Sequence, residues 1–361
     1  MNLDDLRLRI DAVDDQILAL LEQRADVVSG IAQAKKEAGH PVYDPDRERL
    51  VLERLAQKGA GRFPRESIVA VYREVMSACL SLQEPITVSF LGPEGAYSHI
   101  AARELFGLAA RYTEAATHEG VFDAVRRATV TYGVTPIENS TEGAVTHVVD
   151  ALLEGGLFIR RELVLAISHC LLSRAPGLTA VERVYSHPQA LAQCRSWLAK
   201  NLSSAQLVQT SSTSGAVREA AADAGGAAIG SSLAAELFSL PVLRERIQDQ
   251  RENATRFVVL AREDTEARTG ADKTTLGFAL RDGDEPGALR RALEIFDLAG
   301  VNLTRIESRP SRRAAWEYVF LVDVEGHRED LGVARAVGEL RERCESVTLL
   351  GSYPRSGAPR M

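Results

Sequence analysis

Along the first 84 residues the apolar side chains recur at helical intervals. Leu3, Leu6, Ile10, Val13, Ile17, Leu20, Val27 and Ile31 follow one another at steps of three, four or seven, which predicts amphipathic helix. Apart from Gly30, no glycine or proline interrupts the pattern before Gly39. One helix is therefore predicted to about residue 38, roughly 50 Å long at 1.5 Å per residue. That is longer than a small domain is wide, so a second chain is implied to cover the stripe. Gly39-His40-Pro41 breaks the helix. Asp44-Pro45 starts a second one as cap and first-turn residue, and Pro64 opens a third that ends near Pro85.

From residue 86 the period changes. ITVSFLGPEGAYS reads as a buried strand, a Gly-rich turn and a helix start, and YGVTPIENSTEG, RVYSHPQAL and GAAIGSSLAAELF repeat that plan loosely. Strands alternating with helices predict an α/β region of one or two lobes over residues 86–262. Thr265–Asp272 is polar and turn-rich, a linker pattern. The remainder reads strand (Thr274–Leu280), helix (Pro286–Ala299), strand (Asn302–Ser308), strand (Trp316–Val324), helix (Glu329–Cys344), strand (Val347–Tyr353). That βαββαβ order is ferredoxin-like.

Composition narrows the class. The 361 residues are 45% hydrophobic and 26% charged, room for two or three cores of ordinary globular character. A formal net charge of -7 argues against a nucleic-acid or anionic-membrane partner, though not against anionic small molecules. Four scattered cysteines (Cys79, Cys170, Cys194, Cys344) without a CxxC fit a reducing compartment. An acidic start without an apolar h-region predicts no signal peptide, and no apolar run approaches the ~20 residues of a membrane span. A cytoplasmic protein is expected.

Candidate chemistry begins on the first helix. Arg24 falls on the apolar stripe, seven residues after Ile17 and seven before Ile31, and Lys35 lies three turns on, on the same face. Buried cations need partners. Two readings stand: Glu48, Asp44 or Glu53 of the second helix neutralise them, or Arg24, Lys35 and Arg47 line a pocket for a small dianion. Arg7 sits about 100° around the helix from Arg24, so it is placed to reach a neighbouring chain's pocket instead. Cys79 and Gln83 share a face of the third helix.

Residues 3–83 resemble the all-α chorismate mutase family. The resemblance rests on Arg7 in LRLRIDAVD, Arg24 in LLEQRADVV, Lys35 in AQAKKEAG, PVYDPDRE with Asp44, Arg47 and Glu48, and Gln83 after MSACLSL. It implies that the arginines bind the two carboxylates of chorismate. Lys35 and Gln83 would hydrogen-bond the ether oxygen as its bond to carbon breaks. Asp44 and Cys79 would complete the substrate site. The rearrangement is unimolecular, so it calls for a folded substrate and fixed positive charge, with no nucleophile or metal. The resemblance also implies a homodimer with Arg7 donated across the interface.

The central region offers four polar loops. Gly92–Ser98, with Gly95 and Ser98, can present N–H groups to an anion at a helix start; without GK[ST] or GxGxxG a nucleotide is not indicated. Pro136-Ile137-Glu138-Asn139-Ser140-Thr141 gathers a carboxyl, an amide and two hydroxyls, more than helix capping requires. Ser186-His187-Pro188-Gln189 opens a helix that brings Gln193 round to the side of Ser186, and Asn253-Ala254-Thr255-Arg256-Phe257 precedes an apolar strand. These stretches, as GPEGAYSHIAA, PIENSTEG, SHPQALAQC and NATRF, resemble prephenate dehydratase over residues 86–262. The resemblance implies two α/β lobes of periplasmic-binding-protein-like fold with the site in their cleft. It carries Glu138, Asn139, Ser186, Gln193 and Thr255 over as site residues, with Gly95, Ser98, Ser140 and Thr141 as substrate contacts. Thr255 and Glu138 are rival proton donors to the departing hydroxyl. With no HExxH, Cys/His ligand set or Gly-x-Ser-x-Gly, metal and acyl-enzyme chemistry gain no support and no cofactor is expected.

Residues 273–353 resemble an ACT domain. Gly287-Ala288-Leu289 and Glu307-Ser308-Arg309-Pro310 match segments that hold phenylalanine in this enzyme family, which implies L-phenylalanine as effector. The three regions are expected at 1–84, 86–262 and 273–353. A reading from another class treats the α/β region as a solute-binding module and the helical segment as a dimerisation coiled coil. Assaying chorismate consumption and phenylpyruvate formation discriminates the two.

Overall fold

The computed structural model describes residues 2–357 apart from 39–44, 60, 84, 211, 251, 265–267, 282–284 and 312–316. Helices α1 (Leu3–Ala38), α2 (Pro45–Lys58) and α3 (Arg65–Gln83) follow the predicted periodicity. The 39–41 break and the Asp44 cap lie outside the described residues. By contact density the chain forms two compact units, residues 1–87 with 103–111, and residues 88–102 with 112–361.

In the first unit α3 packs against both α1 and α2. Ser77 Oγ donates to the Phe106 carbonyl at 2.8 Å and Arg73 pairs with Glu104 at 2.8 Å, fixing residues 103–111 to α3. Much of the α1 stripe is open in the single chain: Ile17 is 51% and Leu20 63% exposed.

The second unit contains three sheets. Their elements run β1 (Thr87–Leu91), α4 (Tyr97–Phe106), β2 (Arg111–Ala115), α5 (His118–Arg126), β3 (Tyr132–Asn139), β4 (Gly143–Ala144), α6 (Thr146–Leu153) and β5 (Phe158–Ala166). Then come β6 (Cys170–Ser173), β7 (Arg183–Ser186), α7 (Pro188–Gln193), α8 (Arg195–Asn201), β8 (Gln206–Gln209), α9 (Thr213–Ala222), β9 (Gly226–Gly230), α10 (Ser232–Leu237), β10 (Val242–Arg244) and β11 (Ala254–Ala261). Thr117, Ser212 and Ser231 start α5, α9 and α10 by accepting a hydrogen bond from the first-turn backbone, the role short hydroxyl side chains fill at N-caps.

The first lobe is the sheet β2-β1-β3-β11-β5 with β4 against β3; the second is β10-β6-β9-β7-β8. β11 is antiparallel to both its neighbours, and its residues from Thr255 onward are all buried. A strand covered on both faces reads as the continuous apolar run FVVLA. The chain passes between lobes twice, after β5 and before β11. The crossing segments bond to each other through Ile167 N to Asn253 O at 2.8 Å and Ile247 N to His169 O at 3.0 Å. This two-lobed plan is the one expected.

The C-terminal elements are β12 (Asp272–Leu280), α11 (Ala288–Leu298), β13 (Leu303–Pro310), β14 (Tyr318–Glu325), α12 (Leu331–Arg343) and β15 (Cys344–Pro354), with sheet order β13-β14-β12-β15. This is the predicted ferredoxin-like arrangement. Phe278, Phe296 and Leu340 anchor its helix-covered core, while Leu321, Leu350 and Tyr353 join the first lobe's core with Phe122, Val149 and Ile159. Where β15 crosses β5, Gly351 has φ +140° and an added Cβ would overlap the Ile159 carbonyl; glycine alone fits there. Among the described residues no helix is long and apolar enough to cross a membrane.

Candidate active sites

The first unit encloses a cavity of about 590 Å³. Arg24, Val28, Ile31 and Lys35 line it from α1, four, seven and eleven residues apart. Arg47, Glu48, Val51, Arg54 and Leu55 line it from α2, and Tyr72, Arg73, Met76, Ser77, Cys79, Leu80 and Gln83 from α3. The helical repeat thus brings six of the singled-out polar positions to one space. Arg24 Nη1 and Gln83 Oε1 are buried without a hydrogen-bond partner. Such atoms are costly to bury unless something polar fits between them. The cavity also contains Arg54, Tyr72 and Arg73, which sequence reading missed; Arg54 repeats Arg47 at a seven-residue step, a signal that was available. Arg7 stands apart, pairing with Asp4 at 3.3 Å on the exposed surface. Asp44 lies outside the described residues.

The second site is built around Asn139 at the end of β3. Its Nδ2 donates to Thr255 Oγ1 at 2.7 Å and to Asn253 Oδ1 at 3.0 Å. Its Oδ1 accepts from Thr141 Oγ1 at 2.6 Å, Thr141 N at 2.9 Å and Glu142 N at 3.3 Å. Every polar atom of the amide is engaged, so its orientation is fixed. The antiparallel register places Thr255 directly opposite Asn139. Ser140 extends that ladder, accepting from Ala254 N at 3.0 Å and donating to Glu252 O at 3.3 Å.

From this loop Glu142 reaches the second lobe. Its carboxylate accepts from Gln189 Nε2 at 2.6 Å and Gln193 Nε2 at 3.3 Å. Gln193 Oε1 lies 2.7 Å from His169 Nε2. Burial lowers the His169 pKa, partly offset by that bond, so the ring is neutral. Tyr97 OH donates to Ser168 O at 2.6 Å and lies 3.4 Å from His169 Nδ1, and its own pKa is raised by burial. One hydrogen-bonded chain therefore runs Thr255–Asn139–Glu142–Gln193–His169 across both lobes. Sequence reading found Thr255, Asn139 and Gln193 but not Glu142 or His169. Ser186 is fully buried, with Oγ 3.4 Å from Ile229 O, and His187 caps α7 through Gln189 N at 3.3 Å. Gly95 bonds to His99 Nδ1 at 3.1 Å and Ser231 Oγ at 2.6 Å, with buried Ser98 beside it.

Glu138 belongs to a different cluster. Successive strand residues face opposite ways, so Glu138 turns away from Asn139 and meets Arg256 at 3.7 Å and Arg305 at 3.4 Å. Arg256 is buried and bonds Glu162 at 2.7 Å, Asp323 at 2.5 Å and Tyr353 OH at 2.9 Å. Burial alone would raise the Asp323 pKa, but the Arg256 guanidinium and the Thr275 hydroxyl hold its carboxyl below the usual value.

In the C-terminal region Gly287 has φ +82° at the start of α11, a conformation glycine adopts without strain. Ala288 is buried and Leu289 packs on the ferredoxin-like core. On β13, Glu307 and Arg309 are half-buried while Ser308 and Pro310 are exposed.

An all-α unit with a cationic cavity, a two-lobed α/β cleft and a ferredoxin-like module define a multidomain enzyme. Residues 6–84 match chorismate mutase type II, 88–265 prephenate dehydratase and 281–342 the ACT domain. The chain is 45% identical to the bifunctional chorismate mutase/prephenate dehydratase of Aquifex aeolicus over 98% of both chains. It is 39% identical to that of Pseudomonas aeruginosa over 97% of both. The structure of prephenate dehydratase from Arthrobacter aurescens in complex with L-Phe is 37% identical with TM-score 0.69, covering 75% of this chain and 90% of that one. The chain belongs to the bifunctional chorismate mutase/prephenate dehydratase family.

Proposed function

We propose that the chain catalyses two consecutive steps toward phenylalanine. Chorismate rearranges to prephenate in the helical unit, and prephenate loses carbon dioxide and hydroxide to give phenylpyruvate in the two-lobed region. Residues 1–84, 86–262 and 273–353 are the corresponding mutase, dehydratase and sensor modules. The protein acts in the cytoplasm as a homodimer.

In the mutase cavity Arg24 and Arg47 hold the substrate carboxylates, Glu48 and Cys79 complete the wall, and Lys35 with Gln83 stabilises the ether oxygen as it gains negative charge. The unpartnered Nη1 of Arg24 in the cavity is the observation that carries this assignment. Arg7, remote from its own cavity, supplies a cation to the partner's. The exposed apolar stripe of α1 supports that pairing.

In the dehydratase Asn139 donates to Thr255 Oγ1, which directs the threonine proton outward to the leaving hydroxyl. Thr255, rather than Glu138, is the proton donor, because Glu138 is on the other face among arginines. Gln193 and Ser186 line the opposite lobe, with Gly95, Ser98, Ser140 and Thr141 shaping the substrate site. Loss of carbon dioxide provides electrons and the hydroxyl leaves as water, so the reaction needs positioning and one proton.

L-phenylalanine binds the sensor at Gly287–Leu289 and Glu307–Pro310 and inhibits the dehydratase. Purified chain supplied with chorismate should form prephenate and then phenylpyruvate, and added L-phenylalanine should slow the second step alone. A folded chain that consumes neither substrate refutes the assignment.

A further inference from the structure

Strand β13 touches the dehydratase at two points. Arg305 and Arg309 are four residues apart, so they face the same side about 13 Å from each other. Arg305 Nε lies 3.4 Å from Glu138. Arg309 grips Asp150 through both oxygens, at 2.8 and 3.1 Å. Glu138 follows the last buried residue of β3 and Asp150 lies on α6. Between them run Asn139, Ser140, Thr141 and Glu142, the segment that orients Thr255 and bridges the lobes.

The two contacts differ in character. Arg309 makes a bidentate fork with a carboxylate, the most directional ion pair available to a protein. Arg305 is only 7% exposed and both of its terminal nitrogens are buried without a hydrogen-bond partner. Arg305 makes no such fork; it pairs with Glu138 through Nε and acts on Asp323 through its charge, so this end is less directional than the Asp150 end. The β13 strand also carries Glu307 on the same face as the two arginines, while Ser308 and Pro310 alternate with them on the exposed face.

We infer that Arg305 and Arg309 are positioning residues for the dehydratase, one sensor strand bracing both ends of the segment that carries Asn139 and Glu142. Movement of β13 on effector binding is thereby delivered to the hydrogen bond that orients Thr255. Within the Glu307–Pro310 stretch proposed to hold phenylalanine, Arg309 is then the transmitter of the signal, its guanidinium committed to Asp150 and not to the effector. The inference rests on the dehydratase and phenylalanine reading above.

The test uses the full chain carrying Asp150→Asn, Arg309→Gln, Arg309→Lys or the exchange Asp150→Arg with Arg309→Asp. Dehydratase kcat and KM, inhibition by L-phenylalanine and its binding by calorimetry are measured together. Asp150→Asn and Arg309→Gln should each lower kcat by about tenfold to a hundredfold, as a small misplacement of catalytic groups does, with KM within twofold. Phenylalanine should bind as in the parent while its inhibition weakens at least ~5-fold, the scale of allosteric coupling. Arg309→Lys and the exchange should recover part of both losses. Parent-like kcat and inhibition in Asp150→Asn, or loss of phenylalanine binding in Arg309→Gln, overturns the inference while the parent remains active and inhibited. A parent that neither dehydrates prephenate nor responds to phenylalanine overturns the underlying reading as well.

Discussion

Replacing Arg24 by methionine separates a functional cation from a structural one. The side chain sits on a helix stripe between Ile17 and Ile31, with Nη1 buried and unpartnered at the wall of a 590 Å³ cavity. If Arg24 served stability, removing it would break compensated contacts, and loss of one member of a buried ion pair costs about 3–5 kcal/mol. A half-buried guanidinium with one buried, unpartnered nitrogen works in the opposite direction, since desolvating that nitrogen opposes folding. Methionine keeps the stem and its packing. The helical unit should therefore hold or raise its melting temperature. Activity should respond otherwise. A preorganised donor aimed at developing or fixed negative charge contributes about 2.7–4 kcal/mol, or roughly a hundredfold to a thousandfold in rate. Loss of chorismate absorbance measures the mutase, and calorimetry measures stability on the same sample. A variant that melts several degrees lower but keeps its mutase rate would refute the reasoning.

Three further outcomes follow from particular contacts. Gly351→Ala forces a Cβ onto the Ile159 carbonyl at φ +140°, so it should destabilise the dehydratase–sensor unit by about 3 kcal/mol or more, seen as a lower first transition in thermal unfolding. Glu142→Ala removes the carboxylate that accepts from Gln189 and Gln193 across the lobes; at ~1.5 kcal/mol for a charge-assisted bond at a partly open site, kcat/KM for prephenate should fall about tenfold. Burial lowers the pKa of both His118 and His169, so the unfolded chain binds more protons just below the ordinary histidine value. Stability should then fall as pH drops below ~6.5, and His169→Gln should flatten that fall in chemical denaturation.

The cationic cavity was legible because helix periodicity is regular: knowing that Arg24 and Lys35 lie three turns apart is enough to put them on one face, and both line the cavity. The C-terminal elements were also readable, as alternating strands and long amphipathic helices leave strong patterns. What the pattern could not give was partnership across distance. Glu138 and Asn139 are adjacent letters in one motif, yet strand alternation sends one to Arg256 and Arg305 and the other to Thr255. His169 and Gln193 lie 24 residues apart in the sequence and meet only once β6, β7 and α7 have folded together, and a lone histidine after a strand carries no mark of that. Arg309 sits in a stretch whose resemblance points to an effector, while its side chain is committed to Asp150. Much of the α1 stripe stays open in the single chain, the exposure expected of a helix too long for two short partners to cover.

The central claim is that one chain performs two reactions in two separate sites, the second dependent on Thr255. It is tested most directly by giving chorismate to the full-length Thr255→Val chain and following prephenate and phenylpyruvate over time. The account predicts that chorismate is consumed at the parent rate and prephenate accumulates, with phenylpyruvate slowed by about a hundredfold or more. Phenylpyruvate appearing at the parent rate, or chorismate left unconsumed by the folded variant, would contradict it.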